Sequence, residues 1–210
     1  MKQIEAIQHN GRSYLRLTSV LSCFRFPDDY SDGGDEKAMR AAGRIGDQVH
    51  RRIVGKVLGK KVALPKSFEA ATAWDNWLDW EKQNEGWSLA AVLEQRYFDD
   101  ELGVTWQVDC HDGELLRDWK TSARLMTRHW VQVNTYAGLL RRQRVPIRQV
   151  ELVRLDRNQR LWDQQTQEFD ESLMDWAVSL IRLVQRMYLT TEKIGVSDDT
   201  SVTDTADSGE

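Results

Sequence analysis

Asp118 and Lys120 stand two residues apart in ELLRDWK (114–120), a run that reads as a β-strand. Alternate residues of a strand leave the same face, so this carboxylate and this ammonium share one. On a half-buried strand both are costly unless they have a partner. Asp109 lies near the end of the preceding strand-like run, GVTWQVDC (103–110), and His111-Asp112-Gly113 reads as the hairpin turn between the two. That hairpin brings Asp109 next to Asp118. Two carboxylates held together repel each other, but they suit a hard divalent cation such as Mg²⁺, which takes oxygen ligands. Such an ion lowers the pKa of a bound water and polarises a phosphoryl oxygen. Lys120 would then stabilise the attacking hydroxide or the charge developing on the phosphate. An ordinary cross-strand ion pair would look the same, and a bare DxK does not choose between them.

Three further features bear on that choice. Gly46 and His50 are four apart on a long predicted helix, beside its apolar stripe, and imidazole is a common metal ligand as well as a common structural residue. A glycine there would let something approach closely above His50. Gln132 and Tyr136 are also four apart and share a helix face just after the DxK strand. Arg124, Arg128, Arg141 and Arg142 flank them, placed to meet a phosphate backbone. Glu94 interrupts the otherwise apolar AAVLEQRYF, where it either turns inward as an extra or supporting metal group or faces solvent.

GDQVH (46–50), QVDC with Asp109, LLRDWKTS (115–122) and QVNTY (132–136) follow one another in this order. Together they resemble the motifs of the RecB-like branch of the PD-(D/E)XK nucleases. AAGRIGDQVH (41–50) is similar to the first helix of phage-type and mitochondrial genome-maintenance exonucleases, and LTSVLS (17–22) resembles their serine-containing opening segment. The resemblance covers about residues 15–145. It implies an α/β fold with a restriction-endonuclease-like core, a mixed central sheet flanked by helices. It also implies that His50, Asp109 and Asp118 ligand a metal, that Lys120 is catalytic, and that Gln132, Tyr136 and Thr121 position the substrate or the site. The implied activity is metal-dependent hydrolysis of DNA, by an exonuclease ahead of a structure-selective or restriction-type endonuclease. A catalytically silent DNA-binding member of the fold is the remaining alternative. The ion expected is Mg²⁺ or Mn²⁺, the histidine favouring Mn²⁺. One position departs from the pattern: Trp106 stands where the second motif usually has glycine, three residues before its aspartate.

These residues need a scaffold, and the apolar spacing supplies one. Ala38, Ala42, Ile45, Val49, Ile53 and Val57 recur at threes and fours, which predicts a helix over 35–58 with one buried face. Further helices are predicted over 66–84, 126–143 and 170–189. Strands are predicted within 12–26, before a helical turn near Thr18, and over 89–98, 103–110, 114–120, 148–156 and 160–168. The order describes one α/β domain over 1–194, which the resemblance makes the nuclease domain, with a disordered acidic tail over 195–210.

Charge and composition limit the partners. The net charge of −4 hides a tail segment, 191–210, with six acids against Lys193, which leaves the rest of the chain at +1. Residues 37–61 carry eight Lys or Arg against Asp47, and residues 117–148 carry eight against Asp118. Two such stretches either form a groove for a phosphate backbone, with Arg124 and Arg128 as its DNA contacts, or solvate helix faces. Nine tryptophans suit a core and could also stack on unpaired bases, so DNA with single-stranded regions is the expected partner. Cys23 and Cys110 are too few for an iron–sulfur cluster or a disulfide framework and read as reduced, mostly buried thiols. No run is long and apolar enough for a membrane span, and the N-terminus lacks a signal core; the expected location is the cytoplasm.

Overall fold

A computed structural model describes residues 4–28, 36–88, 91–189 and 194–197. It opens with a hairpin that adds a strand to those expected: β1 (Ile4–His9) and β2 (Arg12–Arg16) pair antiparallel. Asn10 and Gly11 turn it with φ of 49° and 74°, the left-handed pair that a two-residue hairpin needs. A short helix α1 (Leu17–Leu21) follows directly. Then come two long helices, α2 (Glu36–Val57) and α3 (Phe68–Gln83), the second capped by Ser67, whose hydroxyl accepts from the Ala70 amide at 3.2 Å.

The two long strands expected over 89–98 and 103–110 are each cut in two. The first becomes β3 (Val92–Leu93) and β4 (Arg96–Asp99); the second becomes β5 (Val104–Gln107) and β6 (Cys110–His111). The cut falls at Glu94, whose φ of 48° is left-handed, a conformation that costs a non-glycine residue energy. Backbone bonds from Glu94 N to Asp109 O and from Val108 N to Gln95 O, both 3.1 Å, carry the pairing across the break. The hairpin thereby passes from one sheet into another.

The remaining elements are β7 (Leu115–Lys120), α4 (Thr127–Arg142), β8 (Gln149–Leu155), β9 (Trp162–Glu168), α5 (Glu171–Leu189) and β10 (Ile194–Ser197). One mixed sheet has the order β10-β1-β2-β5-β4, the other β3-β6-β7-β8-β9. The expected mixed sheet flanked by helices is present as two five-stranded mixed sheets, joined by the hairpin broken at Glu94. Helices flank them. A largely aliphatic core gathers α1, α4 and α5 against both sheets, whereas a second core beneath α2 and α3 is built from Trp74, Trp77, Trp80 and Trp119. Strand β7 serves both, with Leu116 in the first and Trp119 in the second, as a two-residue period requires.

Residues 194–197 pair in parallel with β1; the rest of the expected acidic tail, 198–210, lies outside the described residues. Of the two thiols Cys110 is buried but Cys23 is exposed. Among the described residues no helix is long and apolar enough to cross a membrane.

Candidate active site

The break in the hairpin places Asp109 where β6 meets the DxK strand. Cys110 is opposite Arg117, so Asp109 reaches β7 beside Asp118, and its Oδ2 accepts from the Trp119 amide at 2.9 Å. Helix α2 lies across the end of that strand. A Cβ built on Gly46 would meet Thr121 Oγ1 at 3.4 Å, so the close neighbour of this glycine is Thr121. One turn on, His50 has Nδ1 3.2 Å from Asp109 Oδ1 and Nε2 3.0 Å from the Trp119 carbonyl oxygen. A carbonyl only accepts, so Nε2 carries a proton and Nδ1 faces the carboxylates. Burial works against a charged imidazole here, but Asp109 and then Glu94 outweigh it and hold the His50 pKa well above 6.5.

Glu94 turns inward. The left-handed backbone at this residue aims its carboxylate at the same point: Oε1 lies 3.7 Å from His50 Nδ1, and Oε2 accepts from Gln107 Nε2. Donor atoms of His50, Glu94 and Asp109 all fall within 4.8 Å of one another. Glu94 Oε1 is buried with no hydrogen-bond partner among the described residues. A buried acceptor left unpaired beside a second carboxylate and an imidazole nitrogen is what a divalent cation would satisfy, so the donor set fits one.

Asp118 faces the same cleft but is held differently. It is buried and ion-paired with Lys120 Nζ at 2.6 Å. Burial pushes its pKa up to about 6; Lys120 opposes that rise and Asp109 adds to it. The compact donor set thus differs from the expected ligand set His50–Asp109–Asp118 in one member, Glu94 for Asp118, whose carboxylate is paired with Lys120. Lys120 Nζ also donates to Gln132 Oε1 at 3.1 Å, and Gln132 Nε2 donates to the Tyr136 hydroxyl at 2.8 Å. Burial, with Asp118 beyond it, raises the Tyr136 pKa and keeps the phenol protonated. The spacing of four on α4 and of two on β7 therefore converge on one ammonium.

His50, Glu94, Asp109, Asp118, Lys120, Gln132 and Tyr136 line a cleft of about 710 Å³, whereas Gly46 and Thr121 do not. Its arginines are Arg51 on α2, within the basic stretch 37–61, and Arg16 at the end of β2 and Arg96 on β4, which lie outside both basic stretches. Arg124 and Arg128 do not line it. Arg124 donates to the Asp28 carbonyl at 3.2 Å, and Arg128 lies 3.3 Å from Met126 Sδ. Thr18 and Gln107 also line the cleft. Thr18 sits in LTSVLS and Gln107 two residues before Asp109, so both had a positional signal; Arg16 and Arg96 had none. Trp106, in the place of the usual glycine, is buried in the aliphatic core and stacks on Tyr97 with ring centroids 5.6 Å apart, closing the wall beside the acids without displacing them.

No family model and no curated protein matches the chain. Among solved structures it is similar to a candidate exonuclease from Eubacterium rectale, at 12% identity over 81% of this chain and 74% of that one, with a TM-score of 0.52. The structure of SSO0001 aligns at 14% identity over 67% of this chain and 75% of that one, with a TM-score of 0.36. The first likeness bears on the fold alone: this is an α/β, restriction-endonuclease-like fold, two mixed sheets flanked by helices, of the kind found in a nuclease-like neighbour.

Proposed function

We propose that the chain is a metal-dependent deoxyribonuclease of the RecB-like PD-(D/E)XK type that removes nucleotides from DNA ends. The observation that carries this reading is the meeting of His50, Glu94 and Asp109, donors within 4.8 Å, with the buried Asp118–Lys120 pair in one cleft. Those three residues would hold Mg²⁺ or Mn²⁺, with the Asp118 carboxylate beside them. What a divalent ion supplies there is a bound water of lowered pKa and neutralisation of phosphoryl charge.

The chain's own residues do the rest. His50 keeps its proton on Nε2 through the Trp119 carbonyl, which leaves Nδ1 for a ligand. Lys120, held between Asp118 and Gln132, presents a fixed positive charge where charge develops on the reacting phosphate. Tyr136 fixes Gln132 from behind. Arg16, Arg51 and Arg96 give the walls the charge that a nucleic-acid backbone requires. The Eubacterium rectale neighbour, described as a candidate exonuclease, agrees with this reading.

End-labelled linear DNA and circular single-stranded DNA, each with Mg²⁺, Mn²⁺ or EDTA, test it. The expected result is degradation of linear DNA from its ends, dependent on the metal, with circles left intact. Cut circles would make the enzyme an endonuclease on the same core. Binding without cleavage under any metal would make it a silent DNA-binding member.

A further inference from the structure

Gln107 takes no part in the chemistry above, yet its side chain is wedged between two charged groups of opposite sign. It is the last residue of β5 and pairs across the sheet with Arg96 of β4, just where the hairpin leaves the first sheet. Its amide oxygen accepts from an Arg96 guanidinium nitrogen at 3.2 Å, and its amide nitrogen donates to Glu94 Oε2. A guanidinium offers donors only, and a carboxylate acting as a ligand offers acceptors only. The amide therefore satisfies both neighbours in one orientation, oxygen toward Arg96 and nitrogen toward Glu94.

The consequence falls on Glu94. Its backbone is left-handed, so the regular strand register does not place its side chain. One carboxylate oxygen is tied by Gln107. The other, Oε1, is left buried, without a hydrogen-bond partner among the described residues, 3.7 Å from His50 Nδ1. We propose that Gln107, oriented by Arg96, is a positioning residue that ties Glu94 Oε2 so that Oε1 is presented, with His50 and Asp109, to a divalent cation. This rests on the reading that the cluster takes such an ion. Hydrogen bonds to a ligating carboxylate fix its direction and raise affinity without touching the metal.

Calorimetric binding of Mn²⁺ to the full chain, without DNA, tests the bracket. Gln107→Leu keeps the approximate volume and removes both bonds. It should weaken the Mn²⁺ Kd roughly 10- to 100-fold, with little change in the melting temperature of the metal-free protein. In a Glu94→Gln background the same change should have no further effect, because nothing remains to be positioned. Arg96→Met reads the bracket from its outer end and should weaken binding in the same direction by a smaller factor, again silently in the Glu94→Gln background. An unchanged Kd in Gln107→Leu, or equal weakening in both backgrounds, would overturn the proposal. A wild-type chain that binds no Mn²⁺ would overturn the metal reading itself, and the bracket with it.

Discussion

Arg117 and Asp118 are consecutive on β7, both are buried, and they face opposite ways. On the Arg117 side every charge has a partner. Its Nε pairs with Glu151 Oε1 directly across on β8, and the second Glu151 oxygen accepts from the Thr166 hydroxyl at 2.9 Å. The guanidinium lies over the rings of Trp80 and Trp87, 5.0 and 5.7 Å from their centroids. On the Asp118 side three carboxylates, Glu94, Asp109 and Asp118, meet one lysine and one histidine, with a Glu94 oxygen left over. Burial costs both sides alike. One cluster offsets that cost by complete pairing and serves the scaffold; the other sets three carboxylates against one ammonium and one imidazole, an excess of acid that the metal-free protein leaves incompletely paired.

The sharpest way to break this comparison is to neutralise one acid. If the cleft hydrolyses DNA as proposed, Asp109→Asn and Asp118→Asn should each lower cleavage on the order of a thousandfold or more, since each would remove charge beside the reacting phosphate. Asp118→Asn should at the same time raise the melting temperature of the metal-free protein. Its pKa of about 6 lies above the ordinary 3.8, so the fold disfavours the ionised carboxylate that Asn replaces. A destabilised but active Asp118→Asn protein would put this residue in the scaffold.

The opposite substitution should give the opposite pattern. Arg117→Met leaves Glu151 buried and unpaired, and breaking such a pair costs about 3–5 kcal/mol. For a chain of this length that lowers the melting temperature by roughly 10 °C, while activity per folded molecule stays near normal. Urea melts paired with single-turnover cleavage would measure both. A variant of normal stability and lost activity would join the two faces into one functional unit.

The two faces were unequally legible in the sequence. The DxK spacing placed Asp118 and Lys120 together because a strand's two-residue period is local, and Gln132 with Tyr136 because a helix's four-residue spacing is local too. The contact of His50 with Asp109 is not local; it follows from docking α2 across β7, which the apolar stripe permits but does not specify. Glu94 marks the limit of pattern reading: an alternating run does not reveal that one residue will take a left-handed backbone and send the chain into a second sheet. The opposite failure is the first hairpin, whose Asn10-Gly11 is a strong turn signal that the reading passed over. Charge is the least legible feature, since a run of arginines does not say which of them face the cleft and which tie down neighbouring loops.

A pH series sharpens the comparison at intermediate size. The His50 pKa is raised above 6.5, so its contribution to the metal-free fold is fully present below that pH and is lost as pH rises through the folded value. Asp118, raised from 3.8 to about 6, acts in the same direction, its contribution fading between those values. If His50 ligates Mn²⁺ as proposed, the ion must displace the proton on Nδ1, so its affinity should rise with pH and its binding should release protons. The gap in melting temperature between metal-bound and metal-free protein should therefore widen from pH 6 to pH 8. Arg117→Met should lower both curves in parallel, because its cluster lies on the other face. A gap independent of pH would mean that His50 is not displaced from its proton, hence not a ligand.

The smallest effect concerns which arginines belong to the functional face. If the cleft takes a nucleic-acid backbone, binding in Ca²⁺ should weaken linearly as log salt rises, each phosphate contact adding somewhat under one unit to the slope. Arg51 reaches the cleft from α2 and Arg16 from the end of β2, so the double substitution with Ala should flatten the slope by about one to two units. Arg16 is also paired with Glu5 at 2.7 Å, but both side chains are about half exposed, so losing that pair should cost the fold little. Arg124 and Arg128 carry the same formal charge on the segment between β7 and α4 and the first turn of α4, and neither lines the cleft. Their double Ala variant should keep the wild-type slope and lose stability instead, because Arg124 helps anchor the Asp28 loop. Should that pair flatten the slope while Arg16 and Arg51 leave it unchanged, the backbone path would run along the α4 face, and the cleft would admit only the reacting end of the strand.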